Sequence, residues 1–178
     1  MIVDKAVRRF RRLARRWQEN QERTRTIPSW ARVEVLLQLS REARHRDPVW
    51  MLDLAKRAQE VTERIETTPY GQGFLYDLRT RARVELANAQ RVNKQYGEAE
   101  SALWSARALM EQGSGDPMLR ARLDEVEGSL RKDQHRFIEA GALMDSAHRT
   151  YRKIGEHDRA RRMLEKKELY LRLARAVE

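Results

Sequence analysis

Apolar residues return along this chain at intervals of three and four. Val33, Leu36 and Leu37 with Ser40 form one stripe, Leu86, Ala89, Val92 and Tyr96 a second, and Leu119, Leu123, Val126 and Leu130 a third, the spacing that puts side chains on one face of an α-helix. Helix breakers cut this pattern into about eight segments. The first covers about 3–25 and stops before Ile27-Pro28, because a proline disfavours helix in the residue preceding it. Ser29 is placed to cap a second segment over about 30–44. Asp47-Pro48 and Asp116-Pro117 each pair a capping aspartate with a proline at the first helical position, where the absent N–H costs nothing; they open segments at about 48–66 and 117–132. A loop is expected over 67–73, then helices over 74–95 and 98–112 on either side of Tyr96-Gly97, with Gly113-Ser114-Gly115 ending the latter. The last two segments are 136–154, stopped by Gly155, and 159–177, with Asp158 as its cap.

The connections are short, so consecutive helices should be antiparallel neighbours. At 178 residues the chain suits one domain with a sizeable core. The expected class is all-α: hairpins at about 30–66, 74–112 and 117–154, a final helix at 159–177, and a basic amphipathic helix over 1–26 ahead of this 30–177 domain. Composition agrees, since Arg, Glu, Leu and Ala are abundant while Gly and Pro are scarce.

One sequence pattern occurs twice. Leu86-Ala87-Asn88, Lys94-Gln95-Tyr96-Gly97-Glu98-Ala99, Leu103 and Ala106 place a small residue in one helix, an aromatic at the turn, and alanine, large apolar, alanine in the next. Gly128, Phe137-Ile138-Glu139-Ala140, Met144 and Ala147 repeat those places 41 residues on. Gly155, Asp158-Arg159-Ala160 and Leu164 give a partial third copy. The pattern resembles the tetratricopeptide repeat (TPR), whose usual period is 34 residues, with the insertion at 113–117 between the units. Arg83 stands where the family has its leading aromatic, and Glu127 where it has leucine. The resemblance implies a right-handed solenoid of helix hairpins whose first helices line a concave face that accepts a peptide or protein. On that face it places Arg81, Asn88 and Arg91 in one unit and Arg122 and Ser129 in the next. Some members clamp a C-terminal carboxylate with Lys and Asn from one helix; Asn88 fits, but Val84 occupies the lysine position.

No signature of catalysis is present. Walker A, GxSxG and GxGxxG motifs are missing, and Gly71-Gln72-Gly73 is a lone pair of loop glycines. The chain has no cysteine, and His45, His135, His148 and His157 fall in no metal-binding spacing. His157-Asp158 lacks the further ligands a metal pair needs. Glu60, Glu63 and Glu66 lack a Glu-x-x-His partner and read as a solvated face paired with Arg57 and Arg64. The expectation is a non-catalytic protein without cofactor, and with no long apolar run, a cytoplasmic one.

Charge adds one strong feature. The formal net charge is +10, and much of it lies in Lys5, Arg8, Arg9, Arg11, Arg12, Arg15 and Arg16, against Asp4 alone. At 100° per residue these fill one side of a helix whose other side carries Val3, Ala6, Val7, Phe10, Leu13, Ala14 and Trp17. Phe10, Leu13 and Trp17 can dock this helix on the first hairpin as a solenoid cap. The basic ridge then suits nucleic-acid phosphate, an anionic membrane surface or an acidic protein. At the other end Leu164, Leu169, Tyr170, Leu171, Leu173 and Val177 spread over more of the last helix than one packed face needs, which predicts a contact there with another copy or a different subunit. The functional expectation is a TPR-type adaptor or scaffold, alone or in a multi-subunit complex; the alternative is a nucleic-acid-binding accessory subunit that uses the arginine helix.

Overall fold

The computed structural model describes residues 28–66 and 70–176. The helix expected over 1–26, with Lys5, Arg8, Arg9, Arg11, Arg12, Arg15 and Arg16 on one side and Phe10, Leu13 and Trp17 on the other, lies outside the described residues, as does Val177. Among those described there are seven helices and no strand: α1 (Ser29–Ala43), α2 (Pro48–Glu63), α3 (Gly71–Val92), α4 (Tyr96–Met110), α5 (Pro117–Asp133), α6 (Phe137–Lys153) and α7 (His157–Arg175). The protein is all-α, as the periodicity requires.

Two of the four expected caps form. Asp47 accepts a hydrogen bond from the Trp50 backbone N–H at 3.0 Å and Asp116 one from Met118 at 2.8 Å, each followed by proline at the start of the helix. Ser29 and Asp158 do not cap. Ser29 is already helical behind Pro28, whose carbonyl accepts from Ala31 and Arg32. Asp158 sits inside the first turn of α7, 2.6 Å from Arg161, and Glu156 holds the capping position. The expected loop over 67–73 is shorter than predicted because α3 starts at Gly71. An aromatic cluster fixes that start: Tyr70 and Phe74 lie 5.6 and 6.2 Å from Trp30, ring centre to ring centre, both nearly edge-on.

The turns after α3, α5 and α6 are the same turn. Gln95, Arg136 and Glu156 each donate a backbone hydrogen bond across the helix end, to Gln90, Arg131 and Tyr151, while Lys94, His135 and Gly155 in front of them hold positive φ of 62°, 61° and 81°. This six-to-one bond with a left-handed residue ends a helix and satisfies its last carbonyls. Four residues beyond each donor comes a buried alanine, Ala99, Ala140 or Ala160. The large apolar place after it is filled by buried Leu103 and Met144 in the first two helices. In α7 the prediction of Leu164 is off by one: Met163 is buried, and Leu164 is partly exposed.

Each helix packs on its successor, and α1 also packs on α3 and α3 on α5. The core follows the same order. Val33, Leu36, Leu54 and Leu78 join α1, α2 and α3; Val84, Ala87, Leu103, Leu123 and Leu130 join α3, α4 and α5; and Ala121, Met144, Tyr151, Met163 and Tyr170 join α5, α6 and α7. Small residues set the close crossings, since a side chain there would hold two backbones apart. A Cβ on Gly128 would come within 2.7 Å of Met144 Cε and 3.1 Å of Leu143 Cβ, so α5 and α6 touch there.

Candidate interaction face

Helices α1, α3 and α5 lie side by side, and a row of charged side chains runs across them and on to α7. In α3, Arg81, Glu85 and Asn88 fall on one face at helical spacing. In α5, Arg122, Glu125 and Ser129 do the same. The two sets interlock. Arg122 Nε and Nη2 each lie 3.0 Å from the carboxylate oxygens of Glu85, a two-point grip that suits the planar guanidinium. Arg41 of α1 approaches the same carboxylate at 3.4 Å. Arg122 Nη1 also contacts Glu125 at 3.0 Å, and Lys166 of α7 reaches Glu125 at 3.1 Å. Tyr151 of α6 donates to Glu125 at 3.3 Å. The result is one chain of alternating charge, Arg41–Glu85–Arg122–Glu125–Lys166, from α1 to α7.

Two of these links, and a third beside them, follow one rule: a cation on an odd helix reaches back to a carboxylate on the preceding odd helix. Arg81 pairs with Glu34, Arg122 with Glu85, and Lys166 with Glu125. Nearby, Arg91 meets Asp133 at 2.5 Å and Asn88 at 3.1 Å. Its Nε is buried with no hydrogen-bond partner.

Glu85 is 2% exposed. Burial alone opposes its ionisation most strongly, yet Arg122 and then Arg41 outweigh it and hold the carboxyl below its ordinary value. Glu125 experiences the same contest; burial pushes up, while Arg122 and Lys166 pull its pKa down to about 2. Tyr151 goes the other way, raised to about 12 by burial and by the charge of Glu125. The row is therefore ionised, and each buried carboxylate depends on its cations.

These geometries revise the residue-level expectation for the face. Asn88, Arg91 and Ser129 were expected to present themselves to a ligand, but all three are buried. Arg122 is largely covered and Arg81 about two-thirds covered, both by their ion pairs. The reason is that α3 has neighbours on several sides, so the polar stripe of each odd helix is roofed by the next. The residues that spacing alone did not single out are Glu85, Glu125, Arg41, Arg44 and Lys166. Glu85 and Glu125 could have been found, because each sits three or four residues from the arginine, asparagine or serine already chosen. Arg41, Arg44 and Lys166 belong to helices where the repeat pattern is faint.

Arg44 differs from the rest. It caps the C-terminal end of α1 and is half-buried. Its backbone N–H donates to the Arg41 carbonyl at 3.4 Å, and its guanidinium makes no hydrogen bond or ion pair with any described residue. Its charge is disfavoured by burial first, then by Arg91 and Arg122, with Glu125 and Glu85 offsetting only part of this.

Away from this face, Trp104 on α4 is 77% exposed and Ile138 at the start of α6 is also largely exposed. The acids expected to pair with Arg57 and Arg64 do otherwise: Arg57 binds Asp53 at 2.9 Å, and Glu63 binds Arg83 at 3.0 Å. Of the C-terminal residues, Tyr170 is buried in the core, Leu173 packs against it, and Leu171 lies over Gly141 of α6. Leu169, 50% exposed, and Leu164 remain outward. No described helix is long and apolar enough to cross a membrane, and among the described residues no group of three or more His, Asp or Glu could hold a metal.

Compared with known proteins, the chain matches no family model, no curated protein and no solved structure.

Proposed function

We propose that this protein is a non-catalytic adaptor or scaffold of TPR type, a right-handed solenoid of helix hairpins that binds a partner protein through the aligned face of its odd-numbered helices. The observation that carries this reading is the sequential packing: contacts run from each helix to the next and from α1 to α3 to α5, which is how repeat arrays build an extended surface from nearest-neighbour units. The recurrence of the same turn with a buried alanine behind it, between α3 and α4 and again between α5 and α6, supports a common repeat unit; the like turn between α6 and α7 falls outside that period. Within such an array α1–α2, α3–α4 and α5–α6 are hairpins, and α7 closes the end. Leu164 and Leu169 give that end an apolar contact for a further subunit or a second copy.

A direct test puts a photo-crosslinking amino acid at Gln38, exposed on α1 beside Arg41, and separately at Trp104 on the outer side of α4. Crosslinking in cells should give one discrete protein adduct from position 38 and little from position 104. Equal, diffuse adducts from both would speak against a dedicated face.

The second reading, a nucleic-acid-binding accessory subunit, draws on the six arginines among residues 8–16. Labelled single-stranded DNA, duplex DNA and RNA should then bind the full chain with an affinity that falls about a thousandfold between about 50 and 200 mM salt, as neutralising about six phosphates entails. Replacing the six arginines with glutamine would abolish that binding. Absence of binding at the lower salt would leave the protein-partner reading alone.

A further inference from the structure

We propose that the cleft between α2 and α4 is a second binding site, which takes a basic segment of a partner protein and holds one lysine or arginine side chain between Glu98 and Gln90. None of the residues lining it belongs to the row Arg41–Glu85–Arg122–Glu125–Lys166, so the inference goes beyond the proposed function and does not depend on it.

The cleft follows from the order of packing. Helices α2 and α4 both pack on α3 but hardly on each other, which leaves a strip of α3 open between them. The opening measures about 620 Å³, within the range of clefts that take ligands. Along α3 it runs from Arg83 to Gln90, two helical turns or about 10 Å. Leu86 and Ala102, both buried, make its apolar floor. On the α4 side Gly97 leaves room, since a Cβ there would meet nothing within 4 Å.

Around that floor the unspent hydrogen-bonding groups are acceptors. Glu98, in the first turn of α4, is exposed, and its carboxylate makes no hydrogen bond or ion pair with any described residue. Gln90 has a buried amide oxygen with no partner, a state that costs free energy until a donor reaches it. The soft terminal torsion of a glutamine lets that oxygen turn to the cleft. Ser101 has given its hydroxyl hydrogen to the Gly97 carbonyl at 3.1 Å, and Gln59 donates its amide to Glu63 at 2.9 Å, so each offers lone pairs. Among the described residues that line the cleft Arg83 alone is cationic, and Glu63 at 3.0 Å neutralises it.

A ligand that brings several N–H donors and no acceptor matches this set. A lysine ammonium or an arginine guanidinium is such a group, and the aliphatic stem of either covers Leu86 and Ala102. A carboxylate or phosphate would instead meet Glu98 and Glu63 and be repelled. One uncommitted carboxylate matches one basic side chain, whereas the arginines at 8, 9, 11, 12, 15 and 16 of this chain form a run with no acid among them; the segment is therefore assigned to a partner. A single exposed ion pair holds weakly, so the cleft supplements a larger interface.

The test is an NMR titration of the ¹⁵N-labelled full-length protein with acetyl-Ala-Ala-Arg-Ala-Ala-amide at about 50 mM salt. Amide signals within 86–90 and 97–102 should shift and saturate. The same peptide with citrulline or glutamate in place of arginine should bind about fivefold more weakly or worse, the order of one exposed charge pair. Glu98→Gln should weaken the arginine peptide by a similar factor. Ser101→Trp, which fills the mouth of the cleft from an exposed position, should abolish binding, and both variants should keep the circular dichroism of wild type. Glu165→Gln, at an exposed acid on α7, should change nothing. No saturable shifts up to about 20 mM, shifts centred elsewhere, undiminished binding by Glu98→Gln, or equal binding of the citrulline peptide overturns the site. Tighter binding of spermidine through the same signals overturns the choice of a protein segment. Binding that appears only once the six arginines at 8–16 are replaced by glutamine assigns the cleft to this chain's own basic stretch and overturns the choice of a partner. None of these outcomes touches the crosslink expected from position 38, so the cleft and the proposed function stand or fall separately.

Discussion

At the scale of single residues, the energetics centre on Glu85. Its carboxylate is buried and held by Arg122 and Arg41; without Glu85, Arg122 keeps Glu125 at 3.0 Å, whereas without Arg122 the buried Glu85 keeps only Arg41 at 3.4 Å. Arg122→Met should destabilise the protein by about 3–5 kcal/mol in urea unfolding, whereas the double change Glu85→Leu with Arg122→Met should cost less. Equal losses from both would show that burial of the pair is not the issue. Glu125 gives the pH dependence. Its pKa is depressed from the ordinary 4.5 to about 2, so the folded state binds fewer protons than the unfolded state as pH falls through this window. The stability this confers is complete above about pH 5 and lost progressively as pH drops towards 2. Melting temperatures from pH 6 to 2 should decline less steeply in Glu125→Gln than in wild type, starting from a lower value. The sequence showed the residue types of this network but not their state. Arg91, Asn88 and Ser129 were expected on a face open to a ligand, yet they are buried; that depends on how neighbouring helices roof them, a tertiary fact no single stripe contains.

Helices and turns were the most legible level. Asp47-Pro48 and Asp116-Pro117 act as read because a cap and its proline are local chemistry. Ser29 and Asp158 have the right residue type one or two positions inside their helices, since the backbone at Pro28 and the recurrent turn at 154–156 start those helices earlier. The spacing of small residues also carried through. Gly128 and Gly141 provide a contrasting pair. A methyl at 128 meets the Met144 side chain, Leu143 Cβ and the backbone oxygen of Ala140, whereas one at 141 meets only the side chain of Leu171, at Cδ2 and Cγ. Gly128→Ala should therefore lose about 1–3 kcal/mol to overpacking, partly offset by better helix propensity. Gly141→Ala should be neutral or stabilising by up to about 1 kcal/mol. Denaturant midpoints of the two variants check both, and similar effects at the two sites would contradict the close crossing of α5 and α6.

For the whole molecule, α3 is the hub. It packs on α1, α2, α4 and α5, while α7 has one main neighbour. Stability should thus grade along the chain, with amide hydrogens in α3 and α5 exchanging most slowly and those of α1 and α7 faster. Uniform exchange across all seven helices would indicate a globular core rather than a row. The hydrophobic stripes predict helices but not which pairs meet; the short connections made consecutive neighbours readable, whereas the packing of α1 on α3 and α3 on α5 was suggested only by the repeat pattern. The account as a whole stands on one face being the functional one, and the most direct measurement is quantitative co-purification from native cells. Full-length tagged protein would be compared as wild type, as Arg41→Glu with Arg44→Glu, and as Trp104→Ala. The account predicts one protein recovered equally with wild type and Trp104→Ala and lost from the double variant. Recovery of that protein undiminished with the double variant, or its loss with Trp104→Ala alone, would contradict it.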